Sequence, residues 1–169
     1  MIQTYNILSL LLDYPTQELR DNLARIPAII REECVFTADE QCLLQQFMEY
    51  AASFPSLRDW QAAYTAFFDT SAKANLYLFD FVYGTSKDRG QAMVDLKEEY
   101  LKAGLMPPED ELPDYLPIYL QYVSAFNNRE EAKAALADIQ PVLEKMQEQF
   151  AKEDRHPYLP LIQLLCHQK

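Results

Sequence analysis

Asp80-Phe-Val-Tyr-Gly-Thr-Ser-Lys-Asp-Arg-Gly-Gln-Ala-Met-Val-Asp-Leu96 and Glu111-Leu-Pro-Asp-Tyr-Leu-Pro-Ile-Tyr-Leu-Gln-Tyr122, separated by a loop with Gly104, Pro107 and Pro108, decide how this chain is read. Two of the three glycines, Gly84 and Gly90, lie in the first segment. Gly84 ends an apolar stretch, Leu76 to Val82, that reads as a short helix buried on most sides. Thr85 or Ser86 then caps a central helix from about Ser86 to Ala103, with Asp88 in its first turn, where negative charge is favoured. Gly90 predicts a close approach there, because a helix gains nothing else from glycine near its start. Met93, Leu96, Tyr100 and Ala103 share one face, and Arg89 falls on it. A guanidinium in that position needs a carboxylate, and Asp80 and Asp114 are the candidates. Gly104 closes the helix, and Pro107-Pro108 prevent its resumption. Pro113 and Pro117 are start signals for the next helix, with Asp114 as its N-cap. That helix carries an aliphatic stripe (Leu112, Leu116, Leu120, Val123) beside an aromatic one (Tyr115, Tyr119, Tyr122, Phe126). The two cover more arc than one core contact requires. Tyrosine joins apolar area to a polar tip, which suits the wall of a binding groove.

The remaining sequence reads the same way. Tyr5, Leu8, Leu11 and Leu12 form an apolar face that stops at Asp13-Tyr14-Pro15. Thr16 caps a short helix with Leu19 and Leu23 inward, and Pro27 interrupts or restarts it. Thr37-x-x-Glu40 is a capping box before Leu44, Phe47, Ala51 and Phe54. Pro55-Ser56 opens a helix with Leu57, Trp60, Tyr64, Phe67 and Phe68 on one side. Glu130 to Lys152 is an amphipathic helix kinked at Pro141. A short helix, Tyr158 to Leu165, follows His156-Pro157, and Cys166 and His167 sit in a frayed tail. With few glycines and few β-branched runs, the chain reads as all-α: one domain over residues 1–169, a bundle of about seven to nine helices.

Composition narrows the function. A formal charge of −11 argues against nucleic acid, whose phosphates need a lysine and arginine surplus, and favours a basic partner. No apolar run approaches the roughly 20 residues that span a bilayer. The N-terminus lacks the basic start of a signal peptide. Cys34, Cys42 and Cys166 are odd in number and form no Cys-x-x-Cys pair, which suggests a reducing compartment and no structural zinc. The expected location is the cytoplasm. No catalytic residue, metal ligand or cofactor-binding motif emerges. The histidines, His156 and His167, lack metal-binding spacing, and there is no Gly-x-Ser-x-Gly, P-loop or dinucleotide fingerprint. A metal-dependent nucleotide hydrolase using Asp80, Asp88 and Asp114 is the enzymatic alternative, without a glycine loop to cradle phosphate.

Ser86-Lys-Asp-Arg-Gly-Gln-Ala-Met-Val-Asp-Leu96 and Glu111-Leu-Pro-Asp-Tyr-Leu-Pro117 resemble the signature of the nitrate reductase delta-subunit (NarJ-type) assembly chaperones, within the TorD-like family of redox-enzyme maturation proteins. Leu11-Leu-Asp-Tyr-Pro-Thr-Gln-Glu-Leu19 resembles that family's opening, and length and element order agree along essentially the whole chain. Family members commonly have histidines in the turn before the central helix, where this chain has Phe81 and Tyr83. The resemblance implies a non-enzymatic cytosolic chaperone. It would bind the N-terminal segment of the apo catalytic (alpha) subunit of respiratory nitrate reductase. It would keep that subunit competent for insertion of the molybdenum cofactor (molybdopterin guanine dinucleotide), binding none stably itself, and delay membrane docking. The alternative within the fold is a TorD-like chaperone for another molybdoenzyme with a twin-arginine signal. The client segment is expected to be helical and basic. The candidate client-peptide-binding residues are Asp80, Tyr83, Asp88, Arg89, Met93, Tyr100, Asp114, Tyr115, Leu116, Tyr119 and Tyr122. Neither nucleic acid nor direct membrane insertion enters this reading.

Overall fold

A computed structural model describes residues 1–69 and 74–168. Within them lie ten α-helices: α1 Gln3–Leu12, α2 Gln17–Asn22, α3 Ile26–Glu33, α4 Ala38–Ala52, α5 Leu57–Phe68, α6 Asp88–Lys102, α7 Leu116–Ala125, α8 Arg129–Asp138, α9 Gln140–Lys152 and α10 Leu159–Cys166. Short 3-10 turns occupy Leu23–Arg25 and Leu78–Phe81. The helix starts follow local side-chain chemistry. Thr16 and Ser56 accept hydrogen bonds from the backbone N–H groups of Leu19 and Asp59, and Thr37 and Glu40 form the reciprocal capping box. The expected Glu130–Lys152 helix is two helices. Pro141 has no N–H to donate and takes the first turn of α9, so the chain breaks at Ile139 instead of bending.

Helix α1 packs on α7 and α3, and α10 packs on α9 and α4. Leu8, Leu11 and Leu12 of α1 and Leu116, Leu120 and Val123 of α7 are fully buried. The hydroxyl of Ser9, buried between the two helices, donates to the Pro117 carbonyl at 2.7 Å, so the contact leaves no orphan hydroxyl. The C-terminal segment is not frayed. Leu161, Ile162, Leu164 and Leu165 are fully buried, Cys166 is buried, and Gln168 donates to Glu40 at 2.9 Å. An eight-residue helix this apolar on all sides is stable only as a central core element. His156 is buried among the rings of Phe67, Phe68, Phe150 and Tyr158. Burial lowers its pKa to about 4, which keeps the imidazole neutral.

Helix α1 is capped from a distance. Ile2, its N-cap, contributes no side-chain bond. The carboxylate of Glu33, at the end of α3, accepts from Gln3 N at 2.9 Å, Thr4 N at 2.7 Å and the Thr4 hydroxyl at 2.5 Å. Partial burial raises the Glu33 pKa, but these donors outweigh it and hold the carboxyl below its ordinary value. A carboxyl with a depressed folded-state pKa stabilises the protein above its unfolded pKa, and the gain is lost as pH falls through the folded one. Glu33→Ala is therefore expected to cost about 1–2 kcal/mol at neutral pH, and less as the medium is acidified. Urea unfolding of both proteins at pH 7 and pH 3.5 measures this.

The Leu76–Val82 stretch is not an α-helix: it enters extended and closes in the 3-10 turn Leu78–Phe81. Ala74, Leu76 and Leu78 are buried while Asn75, Tyr77 and Phe79 are half-buried, an alternation of period two. Leu116 N donates to Leu76 O at 2.8 Å and Leu78 N to Asp114 O at 2.9 Å, which makes an isolated antiparallel bridge between Tyr77 and Tyr115. An apolar run this short has no periodicity of its own, so pairing with the 114–116 backbone decides its shape. The chain then turns through Gly84 (φ +53°) into α6.

Candidate functional site

Helix α6 stands away from the core. Of its fifteen residues only Tyr100 is buried, and Met93 and Leu96 are half-buried. Ala103, placed on the inward face by periodicity, is exposed. Gly104 (φ +79°) closes α6: Gly104 N donates to Leu101 O at 3.0 Å and Leu105 N to Tyr100 O at 2.8 Å, a Schellman motif. Near this end the Tyr100 hydroxyl donates to Pro113 O at 2.7 Å.

At the other end Arg89 is the anchor. Its guanidinium lies 2.6 Å from Asp80 Oδ1 and 3.9 Å from Asp114 Oδ2, and donates to Gly84 O at 3.3 Å. A recess of about 400 Å³, lined by Asn75, Asp80, Phe81, Gly84, Thr85, Arg89 and Gln149, opens beside it. Asp114 does not cap α7; Tyr115 takes that position. Asp114 is instead fully buried, and its Oδ2 accepts from Phe79 N at 2.9 Å. Burial raises the Asp114 pKa, with Phe79 N–H and Arg89 opposing it only in part. Its Oδ1 has no hydrogen-bond partner. Asp88 is exposed in the first turn of α6, where its N–H donates to the Ser86 hydroxyl at 3.3 Å.

The close approach expected at Gly90 is absent: a Cβ built there meets nothing within 4 Å. Gly90→Ala is expected to raise stability by about 0.5–1 kcal/mol, read from thermal unfolding, because glycine carries only an entropic cost in this helix.

The α7 aromatic stripe is divided among three neighbours. Tyr115 donates to Asp13 at 3.1 Å and shares a 2.9 Å hydrogen bond with the Tyr64 hydroxyl. Tyr119 is 6% exposed and donates to Ala135 O at 2.8 Å. Tyr122 is half-buried, its ring 5.3 Å from that of Tyr100. Tyr100, Asp114, Leu116 and Tyr119 are thus buried core residues in this structure, where the sequence reading placed them on a groove. Leu112 lies outside the helix and is exposed. Asp80, Tyr83, Asp88, Arg89, Met93, Tyr115 and Tyr122 reach the surface. Sequence reasoning missed Asp13, Tyr14, Tyr64 and Tyr77 as members of this region. Asp13 and Tyr14 lie in the family-like Leu11–Leu19 segment and Tyr64 and Tyr77 in neither, and contact across such distances is invisible in one sequence. Among the described residues no helix is long and apolar enough to cross a membrane, and no group of three or more His, Cys, Asp or Glu side chains is placed to hold a metal.

The family model described as nitrate reductase delta subunit matches residues 32–163. The chain belongs to that family. It is 37% identical over 137 residues to the nitrate reductase molybdenum cofactor assembly chaperone NarJ of Escherichia coli (strain K12), covering 81% of this chain and 57% of that protein. It is 33% identical over 165 residues to a Bacillus subtilis (strain 168) protein named "Probable nitrate reductase molybdenum cofactor assembly chaperone NarJ", covering 96% and 85%. The chain therefore spans a little under three fifths of its E. coli relative. The crystal structure of a candidate redox enzyme maturation protein from Archaeoglobus fulgidus superposes with a TM-score of 0.65 at 20% identity, over 98% of this chain and 91% of that one. This places the all-helical fold, and at that identity nothing finer. The names these family members carry describe assembly, not catalysis.

Proposed function

We propose that this chain is a system-specific assembly chaperone for a respiratory nitrate reductase. It binds the N-terminal segment of the apo catalytic (alpha) subunit, keeps that subunit open to molybdenum cofactor insertion, delays membrane docking, and is absent from the finished enzyme. It works in the cytoplasm. The observation that carries this reading is membership of the nitrate reductase delta subunit family over residues 32–163, with relatives named for this assembly step. Those names also favour nitrate reductase over another molybdoenzyme. The cofactor is cargo for the client, and no catalytic step is required of the chaperone.

The surface between α6 and the Gly84 turn fits such a client. Asp80 and Asp88 are exposed, and Tyr83 and Met93 are half-buried, along the Gly84 turn and the first turns of α6. The chain carries a net charge of −11. A basic amphipathic segment would meet carboxylates along one edge and apolar area along the other. Ordering it costs roughly 2–5 kcal/mol, so apolar contact must supply the affinity while charge speeds encounter. Calorimetric titration with a synthetic peptide covering the N-terminus of the catalytic subunit tests this. Submicromolar binding with a negative heat-capacity change, and association slowed by salt, is expected. No binding across pH and salt would overturn the client assignment.

A further inference from the structure

Residues 16–25, which form α2 with its Thr16 cap and the 3-10 turn Leu23–Arg25, cross the bundle with open space on either side. A cavity of about 420 Å³ separates Arg20 and Leu23 from Met48 and Ala51 of α4 and from Phe54 just beyond it. Another of about 360 Å³ separates Thr16 and Leu19 from Ile7 and Leu10 of α1. The two cavities share no lining residue, so the segment is the wall between them. Within it only Leu19 and Leu23 are buried. The helices on either side are held far more broadly: α1 packs on α7 and α3, and α4 on α10.

The hydrogen bonds supply a second, independent observation. Gln61 Nε2 donates to Pro15 O at 2.8 Å, at the point where the segment begins. From within it, the Arg20 guanidinium donates to Phe54 O at 3.3 Å and to Pro55 O at 3.0 Å. These carbonyls follow the C-terminus of α4, where the helix dipole favours a cation. The other side-chain bonds of the segment stay inside it: Gln17 to Asp21, Asn22 to Glu18 O, Arg25 to Asn22, and the Thr16 cap. One charged tie and two leucines therefore hold residues 16–25 to the bundle.

From this arrangement we infer that residues 16–25 are a strap that lifts from the bundle as a unit, with Arg20 as its latch. A side chain in a close-packed core cannot leave without displacing its neighbours. Leu19 and Leu23 each border a cavity, so each has room to leave its seat. A segment with so few apolar anchors opens at a lower free energy than the core beneath it. The movement stops at α3, where Ile26 and Ile30 are buried and Glu33 is bonded to the start of α1. Lifting merges the two cavities into one groove with apolar residues of α1 along one side and of α4 along the other. The strap is thus a conformational device independent of the α6 surface.

Hydrogen exchange on the unmodified full chain is the first test. The amides of Arg20 to Leu23 are expected to exchange together, about tenfold faster than those of α1 and α4. Fraying of a short helix would also free these amides, but it would leave both leucines seated, so the second readout follows a side chain. Leu23→Cys, in a chain carrying Cys34→Ser and Cys42→Ser, puts a thiol on the strap, while Cys166, buried in α10, reports opening of the core. The new thiol is expected to react with a maleimide about tenfold faster than Cys166. Arg20→Met keeps the stem and removes the latch. It is expected to speed the new thiol a further tenfold or so, the loss of one charge-assisted hydrogen bond, with Cys166 unchanged. Segment amides that exchange with those of α4, or a new thiol no faster than Cys166, would overturn the strap. Fast amides with a slow thiol would mean fraying alone and would overturn it as well. An Arg20→Met chain in which the new thiol is unchanged, or in which both thiols speed up equally, would overturn the latch.

Discussion

Tyr119→Ala is expected to lower the free energy of unfolding by about 3–5 kcal/mol, the largest single effect we anticipate in α7. The ring is buried, lies 5.7 Å from that of Tyr122, and its hydroxyl donates to Ala135 O in α8. Truncation removes the apolar transfer energy, leaves a cavity that fully buried Leu116 and Leu120 cannot all fill, and strips a carbonyl of its donor. Tyr119→Phe separates these contributions: packing survives, and the lost hydrogen bond costs about 1 kcal/mol. Denaturant unfolding of the three proteins provides the numbers. Had Tyr119 walled a groove, as its place on an aromatic stripe suggested, the alanine variant would lose peptide affinity at unchanged stability. That result would contradict the packing described here.

The second large effect is expected from Arg89→Met. Breaking a fully buried ion pair from one side costs about 3–5 kcal/mol, because the remaining charge is stranded. Here Asp114 is fully buried while Arg89 and Asp80 are partly exposed, so solvent screens part of the interaction and about 2 kcal/mol is expected at pH 7. The sign with pH follows from Asp114. Its folded-state pKa is already raised by burial, and without the guanidinium it rises further. A group whose folded pKa exceeds its unfolded value contributes stability below the unfolded pKa and loses it as pH rises through the folded one. The deficit of the variant should therefore shrink on going from pH 7 to pH 4.5 in paired urea titrations. A deficit that grew on acidification would mean that Asp114 is ionised and well solvated. The same variant frees the start of α6, so faster backbone hydrogen exchange from Asp88 to Met93 is expected.

Much of the framework was legible from local chemistry. Thr16, Thr37 with Glu40, and Ser56 begin helices because a short oxygen side chain can satisfy an N–H three residues on, a relation contained within four residues. Gly84 and Gly104 mark both ends of the α6 region because each sits at positive φ. The need of Arg89 for Asp80 and Asp114 could be argued from the cost of a lone charge on an apolar face, which holds whatever the neighbours are. Other features depended on contacts that no local rule encodes. Residues 76–78 pair with the 114–116 backbone, so the stretch starts extended and ends in a 3-10 turn where an α-helix was expected. Glu33 caps α1 from the end of α3, about thirty residues away. Helix α10 is the core and not a tail, because α4 and α9 close around it. The candidate site divides the same way. Residue types and the two family-like segments were readable as text. Which tyrosines reach the surface and which are core was decided by the helix that each one meets, since a side chain with an apolar body and a polar tip is equally at home in either setting until its neighbours are in place.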